Sequence, residues 1–346
     1  MSFAHTVWQE RGQIVQTSHL AVIHGMLDTW KRCNRLGGDP EEPDFVAGLV
    51  LESTPILYHA FSALFAQYGY QFSLAAVFCH QTPKVHFSGM KKTSCELGDL
   101  LLVHVHTAGG GGITRNALLY QAKMSSKQPH RIGSSERDQL ALYTSWPEFE
   151  YHRSPPLSGQ RRNVTPKLPH MGAQYMLIDD RPPSDPQSGL LGAPGTYPIG
   201  SCMADQYLHD HNHLAAELFD FLLLRSGRPF TDLQAGSSGD DWSQVVWDLL
   251  KGALSKAFNR KRSGLSSAPR HAGATVAMLD SCFFARATGP MVLSTAATVV
   301  GSDGVAQLFS ESEDAPPDDE YPRDNVPAPD NGVSLILLET REARGE

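Results

Sequence analysis

The sequence predicts an α/β protein, on three observations. Short apolar runs rich in β-branched and aromatic residues are bounded by glycine and proline in the first half. Helix-spaced apolar stretches follow them. Strand-like runs return near the end, so the strands and helices form a mixed sheet, then a helical pair, then late strands. The chain has 346 residues, 41% hydrophobic and 19% charged. That suffices for a core and matches two domains or one large domain with insertions.

Taken in order, Phe45–Tyr70 reads as a helix interrupted at Pro55. Phe72–His80 and Leu97–Thr107 read as strands, and Gly109–Gly112 as a turn. No Gly-Lys-Ser/Thr follows these glycines, so they suit a hairpin better than a phosphate cradle. Arg115–Met124 is a third strand, and Glu136–Ser145 a short helix that ends before Trp146-Pro147. Residues 154–170 and 181–200 are crowded with Pro, Gly and Ser around a strand at Ala173–Asp179. Met203–Arg225 and Asp241–Asn259 have helical spacing, with Trp242 and Trp247 as core residues. Thr275–Ala285 and Val333–Glu339 read as strands.

The longest apolar runs fall short of the ~18 residues of a membrane span, and Met1–Gly12 lacks a signal peptide's pattern. A cytoplasmic protein with no membrane partner is expected. Cys33, Cys79, Cys95, Cys202 and Cys282 are widely spaced with no Cys-x-x-Cys, against a disulfide framework or a cysteine-based zinc site. There is no Gly-x-Ser-x-Gly, and no histidine is evidently paired with Cys95.

The net charge of −8 is unevenly spread. Residues 311–330 hold eight acids and one base among five prolines, as a mobile loop would. Residues 251–270 hold six bases and no acid. The latter is a solvated helix end or, with Lys256, Arg260, Lys261 and Arg262, a phosphate-binding strip. The acidic stretch could then mimic phosphate and cover it.

The chemistry lies in Glu96-Leu97-Gly98-Asp99 and, after the glycine turn, Gln121-Ala122-Lys123. Side chains two apart on a strand share a face, so Gln121 and Lys123 point together, and antiparallel pairing brings Asp99 beside Gln121. Buried polar groups at the end of an apolar sheet need partners. A hard cation would use a carboxylate and an amide oxygen, with waters and a phosphate oxygen completing a Mg²⁺ shell. Lys123 would orient or help deprotonate the attacking water.

Asp followed across a hairpin by Gln-x-Lys resembles the PD-(D/E)XK nuclease superfamily, in its variant with Gln for the acid. Gln139-Leu140-Ala141-Leu142-Tyr143 resembles the Gln-x-x-x-Tyr helix of RecB-type members. The resemblance covers roughly residues 45–180. It implies a restriction-endonuclease-like mixed central sheet flanked by helices. Residues 1–180 would be the nuclease-like core with N-terminal helices, and 181–346 the helical pair and late strands, separate or integrated. The implied function is Mg²⁺- or Mn²⁺-dependent hydrolysis of phosphodiesters, most simply in DNA, by an endonuclease or exonuclease.

The catalytic set implied is Asp99, Gln121 and Lys123, supported by Gln139, Tyr143 and Glu52. Glu52 stands in the first helix, where family members often place a metal-linked glutamate. Asp99, Gln121 and Glu96 would hold metal. Glu96, three residues from Asp99, shares its side only if the chain bends at Gly98. Arg115, Arg137 and Arg153 would contact phosphates near the site, with Lys256, Arg260, Lys261 and Arg262 farther off. A homodimer would place two sites on two strands, and antiviral defence is a usual setting for this superfamily, with control by a regulatory protein. Two departures stand out. Gly98 replaces the usual proline, and neutral Gln121 removes one charge from the metal site.

Two other readings remain open. One is a degenerate nuclease fold that binds nucleic acid or a protein. The other is a zinc hydrolase using His209 and His213, four apart on one helical face, although the helical stretch lacks the His-Glu-x-x-His glutamate. His104 and His106 are expected as sheet residues.

Overall fold

The computed structural model describes residues 2–35, 37–79, 83–167, 171–193, 195–210, 212–231, 241–263, 276–280, 283–284 and 332–342. Of these, 254–263, 276–280 and 283–284 are described as backbone only. The acidic stretch 311–330 and Cys282 lie outside the described residues, as do the side chains of Lys256, Arg260, Lys261 and Arg262.

In chain order the elements are α1 (Phe3–Gln9), α2 (Arg11–Arg35), α3 (Glu42–Gly48), a π turn (Leu49–Ser53) and α4 (Thr54–Ala66). Strands β1 (Tyr70–Val77), β2 (Lys84–Phe87), β3 (Cys95–Glu96), β4 (Leu100–Thr107), β5 (Ile113–Met124) and β6 (His130–Arg131) follow. Next come α5 (Arg137–Ser145), β7 (Phe149–His152), β8 (Arg161–Arg162), β9 (Ala173–Ile178), β10 (Ile199–Cys202), β11 (Tyr207–Leu208), β12 (Asn212–His213) and α6 (Leu214–Leu222). The chain continues through β13 (Arg228–Pro229), α7 (Asp241–Ser263), β14 (Val276–Asp280), β15 (Phe283–Phe284) and β16 (Ser334–Glu342).

The result is a mixed α/β architecture around one large sheet ordered β12-β10-β9-β5-β4-β16-β1-β14-β15, with β13 pairing β5. The β4–β5 hairpin is antiparallel, whereas β16 runs parallel to β4 and β9 parallel to β5. Strands from the second half of the chain therefore complete the sheet begun in the first. A smaller sheet, β3-β2-β7-β8, packs beside it.

Both faces of the large sheet are covered. Leu101, Val103 and Leu119 join one apolar cluster with residues of α5, α7 and the small sheet. Leu100, Leu102 and Tyr120 join the other, against α1–α4 and α6. This explains why Leu100–Val103 is apolar throughout instead of alternating.

The helix expected over Phe45–Tyr70 continues through Pro55. The proline falls in the first turn of α4, just after the π turn, where its missing N–H costs least. Glu42–Ala66 is also, by length and a mean hydropathy of 1.3, a helix able to cross a membrane, though half of that window is buried within the protein.

The helix expected over Met203–Arg225 shrinks to Leu214–Leu222, and the residues before it pair as short strands. His213 is the cap of that helix, its Nδ1 accepting the Ala216 N–H at 3.2 Å. His209 and His213 therefore do not share a helical face. His104 is buried and His106 half-buried in the sheet, and His104 Nε2 and His106 Nδ1 each meet Thr340 Oγ1, at 3.1 and 2.9 Å. Burial pushes the His104 imidazole down to about 3.

Candidate functional site

The chain bends between β3 and β4, and Asp99 stands at the bend. Its N–H donates to the Tyr120 carbonyl at 2.8 Å, which extends the hairpin register by one residue. Its own carbonyl accepts the Ser334 N–H at 3.0 Å, so β16 braces it from the other side. Glycine is required one residue earlier. A Cβ at Gly98 would lie 2.7 Å from Leu119 Cδ1 and 2.9 Å from the Tyr143 hydroxyl oxygen.

Gln121 and Lys123 project from the face of β5 that looks toward α5, as the strand period requires. The Gln121 amide nitrogen donates to Asp99 Oδ2, and the Ala122 N–H donates to the same oxygen at 2.8 Å. Gln121 Oε1 in turn accepts from Gln139 Nε2 at 3.1 Å. The amide oxygen expected to face a cation is thus engaged by α5.

Four positions along that helix, the Tyr143 hydroxyl donates to the Leu97 carbonyl at 2.8 Å. Gln139 and Tyr143 therefore support β5 and the bend that leads into β4 from one helix. Tyr143 is fully enclosed, stacked on Trp146 at 5.9 Å between ring centres.

Lys123 Nζ lies 3.3 Å from Glu136 Oε1 and 3.8 Å from Glu42 Oε2. Burial works against the ammonium, but Glu42, Asp99 and Glu136 outweigh it and raise its pKa. Lys123 is thus held as a charged donor, which suits the orienting half of its expected role.

Glu42 behaves oppositely. Burial, with the repulsion of Glu96 and Glu136, overrides the Lys123 attraction and raises its carboxyl to about 7. Asp99 is raised by burial first, then by Glu42 and Glu96, against the pull of Lys123 and the Ala122 amide. Burial also opposes the Glu136 charge, yet the Gly133 amide and Lys123 hold that carboxyl below its usual value.

Glu96 was expected near Asp99 only if the chain bent, and the break between β3 and β4 supplies the bend. Glu96 lines a cleft of about 780 Å³ with Glu136, Lys84, Lys92, Lys123 and Arg153.

The structure relocates three expected residues. Glu52 Oε1 sits 3.9 Å from Arg32 Nη1 in the helical layer, so Glu42 is the helical glutamate that reaches Lys123. Arg115 is buried opposite Val105, toward the far end of β5. Eight residues of extended strand place it ~26 Å from Lys123. Arg137 opens α5 on the exposed side and does not line the cleft. Arg153 does line it.

Glu42, Lys84 and Lys92 were missed from sequence. Starting the helix at Phe45 left Glu42 outside it. The signal was Glu41-Glu42-Pro43-Asp44, in which the Asp44 carboxylate accepts the Glu41 N–H at 2.9 Å and caps the helix. For Lys84 the signal was the alternation of Val85 and Phe87, and of Phe149 and Tyr151, which bury one face of the small sheet.

Cys95 is pushed up to about 12, first by burial, then by Asp138 and Glu96, so it is no nucleophile. Among the described residues no three His, Cys, Asp or Glu side chains form a group that could hold a metal ion. The donor chemistry nonetheless suits a hard cation. Asp99, Glu96 and Glu42 are oxygen donors; Glu42 and Glu96 help raise the Asp99 carboxyl and Glu96 helps raise that of Glu42, a repulsion that added positive charge would relieve. Mg²⁺ is commonly held by one or two carboxylates with waters and substrate phosphate, so a closed protein cage is not required. No family model, curated protein or solved structure matches the chain.

Proposed function

We propose that the protein is a metal-dependent nuclease that hydrolyses phosphodiester bonds, in DNA first, on a restriction-endonuclease-like core. The observation that carries the reading is one hairpin holding Asp99, Gln121 and Lys123 together, with β5 and the bend before β4 tied to α5 through Gln139 and Tyr143. Asp99, Glu96 and Gln121 would hold Mg²⁺ or Mn²⁺, which when bound supplies Lewis-acid stabilisation of the phosphoryl oxygens. An amide presents oxygen after a half-turn, and Gln139 can reciprocate by turning its own amide.

The chain's own groups do the rest. Lys123, charged, donates hydrogen bonds to the attacking water and to the phosphoryl oxygen on which charge builds. Glu42, beside it with a carboxyl at about 7, is poised to accept the water's proton at Oε2. Glu136 holds the ammonium in place. Gln139 and Tyr143 position the hairpin and touch no reacting atom.

The test is incubation of supercoiled, linear and single-stranded DNA, and of RNA, with Mg²⁺ or Mn²⁺ and with chelator, wild type beside Lys123→Ala. Cleavage that needs both metal and Lys123 supports the reading. Cleavage unchanged in Lys123→Ala would sink it.

One observation favours a second reading, a degenerate fold that only binds. The Gln121 amide nitrogen, not its oxygen, meets Asp99. That reading expects salt-sensitive DNA binding and no cleavage on any substrate.

A further inference from the structure

We propose that the small sheet beside the hairpin is a phosphate-binding wall, on which Lys84, Lys92 and Arg153 hold the backbone of one polynucleotide strand entering the cleft. The inference rests on the nuclease reading for its substrate class, but its residues lie outside the set that reading uses for chemistry.

Three features make this a built surface and not a scatter of surface cations. First, the strand register puts Lys84 on β2 directly opposite Glu96 on β3 and opposite His152 on β7. Cross-strand partners share a face, so Lys84 projects beside the acid that neighbours Asp99. Second, Ser154 fixes the next cation. Its buried hydroxyl oxygen accepts the Lys84 N–H at 2.9 Å and its hydroxyl donates to the His152 carbonyl at 3.1 Å. Between His152 and Ser154, Arg153 is held at a φ of +50°, a conformation a side chain with a Cβ rarely adopts. Third, the buried carboxylate of Asp138 accepts the N–H groups of Lys91 and Lys92, at 3.1 and 2.9 Å. This pins the Lys92 loop to the first turn of α5, the helix that carries Gln139.

All three cations line the same cleft as Lys123, Glu96 and Glu136. The protein carries a net charge of −8, so an opening lined by four cations and two acids, a net of +2, is a departure from its average surface. At about 780 Å³ the cleft has the size of a small-ligand pocket, a volume suited to a short stretch of one strand. Arg153 offers a fork for phosphate oxygens, and the two lysines offer point charges that tolerate any base.

The experiment measures binding of a fluorescein-labelled 12-nucleotide oligothymidylate to the full chain by anisotropy, in chelator, from 50 to 300 mM salt. Wild type is compared with the triple variant Lys84→Gln, Lys92→Gln, Arg153→Gln, which keeps long polar side chains at exposed or half-exposed positions. Thermal melting confirms that the variant folds, and Arg153→Gln alone is the fallback. The expected result is a loss of about 10-fold or more in affinity and a fall of about 2 in the salt slope, each phosphate contact contributing ~0.7 on a single strand. A blunt duplex of the same length should bind more weakly than the single strand.

Unchanged affinity and slope in the folded variant would overturn the wall. So would tighter binding of duplex, or equal competition by polyglutamate, which would assign the surface to an acidic polypeptide. The two readings fail separately. Metal-dependent cleavage with a silent triple variant removes the wall and leaves the nuclease. Binding lost in the triple variant, with no cleavage by wild type, does the reverse.

Discussion

Glu42 Oε2 and Lys123 Nζ stand 3.8 Å apart, yet the carboxyl of this pair titrates at about 7 instead of near its ordinary 4.5. Burial first, then Glu96 and Glu136, cost the carboxylate more than the lysine returns. Between those two values the folded protein binds more protons than the unfolded chain. Its stability from this group is therefore full below the ordinary value and falls as pH rises through about 7. Glu42→Gln, measured in chelator, should raise the melting temperature by about 2–5 °C at pH 8. The gain should vanish at pH 4.5. An equal gain at both pH values would exclude the titration of Glu42 as its cause.

Under the nuclease reading, the same repulsion would make the site responsive to divalent cations. Mg²⁺ at 10 mM should raise the wild-type melting temperature by about 1–4 °C at pH 8, following the binding it reports. Asp99→Asn keeps an acceptor for the Ala122 N–H but loses a charge, and should lose that increment. Scanning fluorimetry with Mg²⁺, Ca²⁺ and chelator reads it directly. An increment retained in Asp99→Asn would place the cation elsewhere.

Tyr143→Phe removes one hydrogen bond, from the hydroxyl to the Leu97 carbonyl, at a residue that does not line the cleft. The cost in urea unfolding should be about 1–2 kcal/mol, since a buried carbonyl loses its donor. Under the nuclease reading kcat should fall with KM nearly unchanged, because Tyr143 acts by placing Asp99. A rise in KM alone would instead mean that Tyr143 touches substrate.

His213→Ala separates the histidine reading from the hairpin reading. It deletes the acceptor for the Ala216 N–H and should cost about 1 kcal/mol at the start of α6. Metal content and any cleavage should stay at wild-type level. Loss of a stoichiometric zinc in this variant would restore the histidine cluster as a metal site.

The hairpin was legible in the sequence because its logic is local. A period of two and a glycine turn suffice to set Asp99 beside Gln121 and to turn Lys123 the same way. The Gln139 and Tyr143 spacing was legible for the same reason, four residues on one helix. What was not legible depends on distant pairing. Ser334 and Cys79 exchange hydrogen bonds across 255 residues, and nothing in either segment names the other. The small sheet was missed because β2 and β7 have only four residues each, too few for a firm period. The 203–225 helix was overextended because Tyr207 and Leu208 fit helical spacing with Leu214, while the chain there pairs β11 with β6.

The insertion of β16 between β1 and β4 has a consequence for synthesis. A ribosome that has released residues 1–330 has already made Glu42, Glu96, Asp99, Gln121 and Lys123. It has not made the strand that zips the two halves of the sheet together, nor the Ser334 amide that braces Asp99. A nascent or prematurely terminated chain therefore holds the whole chemical alphabet of the site without its syntax. On the nuclease reading, the site would be complete only after translation has passed β16.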